Sequence, residues 1–60
     1  MKGNELRAIR KKLGWTQVQI AEALRVTANT VARWERGERA ISEAIALLVE
    51  KTYTEHKKAR

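Results

Sequence analysis

Apolar residues recur at steps of three and four in four stretches of the chain. They are Leu6, Ile9 and Leu13; Ile20, Ala21 and Leu24; Val31 and Trp34; and Ile45, Leu48 and Val49. Such steps put the side chains on one side of an α-helix. The punctuation between them agrees. Asn4 is a suitable N-cap for a first helix from about Asn4 to Leu13, with Glu5 at its positive end and Lys11 and Lys12 in its last turn. Gly14 follows, where a left-handed cap residue is wanted. Thr16 and Gln19 form a capping box for a second helix ending near Leu24, and Trp15 and Ile20 have the spacing of a hydrophobic staple. Thr27 caps a third helix from about Ala28 to Arg36, closed by Gly37, with Val26 and Val31 repeating the staple spacing. Residues 37–41 read as a loop. Ser42 caps a fourth helix reaching about Tyr53, with Leu47 and Tyr53 on its flank. The tail over 54–60 carries no stripe of this kind and is expected to fray.

Composition narrows the class. Sixty residues make one domain with a thin core, and the absence of Cys excludes disulfide staples. There is no Pro, only three Gly, and β-branched residues are scattered, so an all-α fold is expected. Thirteen Lys and Arg against seven acidic residues, all Glu, give a net charge of +6. That excess points to a polyanion, nucleic acid before an anionic membrane. No apolar run has the roughly 18 residues of a membrane span, and Met-Lys-Gly-Asn-Glu does not open a secretion signal, so a cytoplasmic location is expected. His56 is the one His and reads as a solvated residue near the end of the chain. With no Cys or Asp and no phosphate-cradling Gly-rich loop, no enzyme, cofactor, metal site or small-molecule ligand is expected.

The second and third helices are separated by only Arg25, Val26 and Thr27. Helices joined so tightly cross steeply, as in a helix-turn-helix over about 16–36. Gln17 to Gly37, QVQIAEALRVTANTVARWERG, resembles the helix-turn-helix of the lambda-repressor-like family (phage repressor and Cro, or XRE). Leu6-Arg7-x-x-Arg10 and Gly14-Trp15-Thr16-Gln17 match on the flank, and the resemblance covers roughly residues 4–49. It implies a compact four- to five-helix DNA-binding domain filling residues 1–60, of bacterial or phage type, acting as a transcriptional regulator, a repressor before an activator. It also implies an ion pair between Arg10 and Glu35 that clamps the first helix to the third. Arg25 departs from the family pattern, which usually has Gly there, and must take on left-handed strain of roughly 1 kcal/mol or force the turn to rearrange.

At about 100° per residue, Val31 and Trp34 mark one side of the third helix, and Asn29, Arg33 and Arg36 fall opposite, with Ala32 close by and Ala28 at the flank. The N-terminal part of such a recognition helix, over about 28–36, reads base edges in the major groove. Asn29 can pair with adenine and Arg33 with guanine, while Ala28 and Ala32 suit thymine methyls. Gln17 matches the family position that binds phosphate at the start of the second helix. Thr27, Thr30, Arg36 and Arg39 are further phosphate candidates, with the amides of residues 38–41, and Arg10 could add another contact. Double-stranded DNA is thus the expected partner. A homodimer, formed through Leu47, Leu48 and Tyr53 or only on DNA, would suit two-fold half-sites. The competing reading is a helix-turn-helix reused as a protein-interaction module such as an antitoxin.

Overall fold

A computed structural model describes residues 1–58, which form four α-helices: α1 (Gly3–Leu13), α2 (Gln17–Leu24), α3 (Ala28–Glu35) and α4 (Glu43–Lys58). The helix count and order follow the sequence pattern; three boundaries differ. α1 begins one residue earlier than expected, because the Lys2 amide donates to the Glu5 carboxylate at 2.7 Å and caps the helix ahead of Asn4. α3 ends at Glu35, and Arg36 becomes its cap. α4 runs to Lys58 rather than stopping near Tyr53, so residues 54–58 are helical; residues 59 and 60 lie outside the described residues.

The remaining caps form as the side chains dictate. Thr16 Oγ1 accepts from the Gln19 amide at 3.2 Å, and Gln19 Oε1 accepts from the Thr16 amide at 2.8 Å. Thr27 Oγ1 accepts from the Thr30 amide, and Ser42 Oγ from the Ile45 amide, both at 3.2 Å. Gly14 closes α1 in the left-handed region at φ 74°. Arg25 closes α2 in that region too, at φ 62°. The turn keeps its geometry and Arg25 carries the strain; its N–H still bonds the Glu22 carbonyl at 3.2 Å, and the Val26 N–H bonds the Ala21 carbonyl at 2.9 Å.

The core comprises Leu6, Leu13, Ile20, Ala21, Leu24, Val31, Trp34 and Val49, with Ile9, Trp15, Val26, Ile41, Ile45 and Tyr53 packed around it. Every helix contributes, and the small Ala21 is buried. α2 packs chiefly on α3, α1 packs on α3, and α4 lies against α1 and α2. The fourth stripe is narrower than its spacing implies: Val49 is buried, but Leu47 is 62 % and Leu48 36 % exposed.

Two close approaches tie the ends of the chain to the helix-turn-helix. A Cβ on Gly3 would stand 2.2 Å from the Trp34 carbonyl oxygen and 3.0 Å from that of Glu35, so only Gly lets the start of α1 reach the end of α3. His56, expected to be solvated, is half-buried instead; its ring meets Trp15 edge-on, with centroids 5.3 Å apart and planes at 72°. The helical extension of α4 is what brings it there.

Candidate nucleic-acid interface

The two faces of α3 have opposite character. Val31 is fully buried and Trp34 is 5 % exposed, while Asn29 and Arg33 are exposed on the far side. Ala28 and Ala32 are half-buried at its flanks and leave low relief between the polar side chains. With Asn29, Arg33 and Arg36 exposed on one short helix and its cap, the outer side offers hydrogen-bonding forks and two cations. An exposed helix face of this kind has the chemistry that a major groove accepts.

Beneath this face Glu35 organises the junction of three helices. Arg10 Nε donates to Glu35 Oε2 at 2.7 Å, and Arg10 Nη2 to Glu35 Oε1 at 3.1 Å. Gln17 Nε2 donates to Glu35 Oε1, also at 3.1 Å. A third Arg10 donor, Nη1, reaches the Trp15 carbonyl at 3.0 Å. Side-chain exposure is 14 % for Arg10 and 5 % for Glu35. Burial alone would raise the Glu35 pKa, but hydrogen bonds from Arg10 and Gln17, with the nearby Arg10 and Arg7 charges, hold it below the ordinary value. The Arg10 pKa is raised, chiefly by its hydrogen bond to Glu35.

The residues named as phosphate candidates do not form one group. Gln17 stands at the start of α2 with one amide hydrogen on Glu35 and its second to spare. Arg10 is committed to Glu35 and Trp15. The Thr27 and Thr30 hydroxyls bond each other at 2.9 Å. Thr30 and Arg39 line an open groove of about 370 Å³ with Val26, Trp34, Ala40, Ser42 and Ile45. Arg36 forms an exposed pair with Glu38, with Nε to Oε2 at 2.6 Å. Sequence reasoning missed Glu38. Only the two-residue spacing from Arg36, with Gly37 bending the chain between them, could have pointed to it.

Fold and site together define a helix-turn-helix domain whose outer helix turns Asn29 and Arg33, with its cap Arg36, to solvent. The sequence model of a helix-turn-helix family matches residues 6–55. The chain belongs to the lambda-repressor-like family of DNA-binding helix-turn-helix domains. A protein of Pyrococcus furiosus, bearing the name HTH-type transcriptional regulatory protein, is 36 % identical over 53 residues. That match takes in 88 % of this chain but only 17 % of the archaeal protein. No solved structure matches the chain significantly.

Proposed function

We propose that the chain binds double-stranded DNA sequence-specifically, with α3 as the recognition helix in the major groove, and acts as a transcriptional regulator, a repressor. The observation that carries this reading is the division of α3: Val31 and Trp34 inside, Asn29 and Arg33 outside. Asn29 and Arg33 would take adenine and guanine edges, and Ala28 and Ala32 would pack on thymine methyls. Backbone phosphates would meet Gln17, Thr27, Thr30, Arg36 and Arg39. For Gln17 the contact uses the second amide hydrogen while Glu35 holds the first. Arg10 acts mainly as the support of Glu35, with any phosphate contact secondary, because its guanidinium is already committed. Membership in the family and the name of the archaeal relative support DNA-linked regulation.

The test is a titration of labelled duplexes, selected from a random pool, at several salt concentrations. Binding should weaken steeply with salt. Arg33→Ala should lower affinity for the selected site by about 1–3 kcal/mol and relax preference at one base pair. A domain that binds no duplex at low salt would remove the proposal. If Arg33→Ala leaves the site preference intact, α3 is not the reading helix.

A further inference from the structure

The end of α3 is closed by a backbone device that fixes where Glu38 points from. Gly37 takes φ 79°, its N–H bonds the Trp34 carbonyl at 3.1 Å, and the Glu38 N–H bonds the Arg33 carbonyl at 2.9 Å. The chain therefore folds back over the last turn and sets Glu38 beside Arg36. Arg36 Nε donates to Glu38 Oε2 at 2.6 Å, and Arg36 Nη2 reaches Glu38 Oε1 at 3.4 Å. A guanidinium fork takes a carboxylate or a phosphate through the same two-point geometry. Glu38 thus occupies one two-point edge of Arg36 where a phosphate oxyanion fits.

This pair contributes little to the fold. Its side chains are 56 % and 53 % exposed, and exposed pairs add little to stability. The contrast with Glu35 is direct: that carboxylate is turned inward to Arg10, whereas Glu38 is held out among the cations of the outer surface. Hydrogen bonds from Arg36 lower the Glu38 pKa, and the Arg36 and Arg33 charges add to the effect. The carboxylate therefore stays ionised and available to compete.

We propose that Glu38 is an internal competitor of the DNA backbone, filling the oxyanion seat on Arg36 in the free chain and so restraining attachment to DNA of arbitrary sequence. The proposal rests on the reading of α3 as the DNA-facing helix. While Glu38 holds the Nε–Nη2 edge its charge offsets that of Arg36, so a duplex gains the full Arg36 charge and that two-point contact only by displacing the carboxylate. Correct docking supplies enough other contacts to do so; loose electrostatic attachment does not. Glu38 is in this sense a specificity-determining residue that contacts no base.

The experiment measures affinity for a short random-sequence duplex across a salt series. The proteins are the wild type, Glu38→Gln, Arg36→Gln, the double variant, and Glu50→Gln as a control with the same change in net charge. Glu38→Gln should tighten binding at low salt by about tenfold and steepen the salt dependence by about one phosphate contact. Glu50→Gln should do much less, and in the Arg36→Gln background the Glu38 substitution should change affinity by no more than about twofold. The proposal is overturned if Glu38→Gln binds no better than wild type, or if its gain survives undiminished without Arg36, which is simple repulsion. An equal gain in Glu50→Gln would also overturn it, as would loss of helical signal in Glu38→Gln, which would make the pair structural. If no protein in the set binds duplex at low salt, the DNA reading itself fails; wild-type binding with an unresponsive Glu38 removes only the competitor.

Discussion

Glu35 joins more elements than any other polar residue of the interface region, receiving hydrogen bonds from α1 through Arg10 and from α2 through Gln17. Because the pair is largely withdrawn from water, removing one member leaves the other poorly solvated. Glu35→Gln should cost about 2–3 kcal/mol in urea unfolding, less than a fully buried pair would. Replacing Arg10 and Glu35 together by apolar residues should cost less than the single change. The pH dependence has a definite sign. Folding lowers the Glu35 pKa, so its stabilisation is complete above the ordinary value of 4.5 and is lost as pH falls through the lower folded value. Acid titration of unfolding should show that loss in the wild type and less of it in Glu35→Gln. Arg10 is raised from an already high value and adds no slope at working pH. The partnership of Arg10 and Glu35 was accessible through the family resemblance. The Gln17 bond to the same carboxylate was not, since it depends on the angle at which α2 meets α3.

Local chemistry governs the elements, and most of it can be read from the chain. Thr16 with Gln19, Thr27 and Ser42 each cap a helix at the position their side chains favour, and Gly14 closes α1 where a left-handed backbone is wanted. Arg25 is the exception that tests the rule: a bulky residue at φ 62° in a turn that Gly would occupy without strain. Arg25→Gly should raise stability by about 0.5–1 kcal/mol, the relief of left-handed strain being partly offset by the freer unfolded chain. The check is thermal unfolding, with a midpoint a few degrees higher. A lower midpoint would mean that the Arg25 side chain stabilises the turn by more than the strain costs. α4 is longer than its apolar stripe predicts, for a physical reason. Counting only aliphatic and aromatic residues ends its stripe at Tyr53, but Val49, Tyr53 and His56 continue one face at steps of four and three. An imidazole can close such a stripe when an aromatic ring awaits it.

Over the whole molecule, His56 on Trp15 links the end of α4 to the turn between α1 and α2. Trp15 is itself held through both of its backbone polar groups: its N–H bonds the Arg10 carbonyl at 3.1 Å, and its carbonyl accepts from the Arg10 guanidinium at 3.0 Å. The fourth helix thus braces the segment that leads into the helix-turn-helix. His56→Ala should cost about 0.5–1.5 kcal/mol and alter the Trp emission of the folded chain. An unchanged emission and midpoint would show that the contact braces nothing. In a domain of this size such a loss matters, because total stability is only about 5 kcal/mol.

Periodicity and cap chemistry, both local properties, were enough to specify four helices, their order and the inward side of the first three, while in α4 they marked Val49 but also the exposed Leu48. The tight link between α2 and α3 was equally visible, because three residues permit few geometries. Long-range approach decided the rest. That Gly3 must lack a side chain follows from how near α1 comes to the carbonyls of α3, and that Glu38 meets Arg36 follows from a left-handed bend at Gly37. Neither contact leaves a periodic trace in the chain, since each depends on where backbones meet in space and not on which residues are neighbours along a helix.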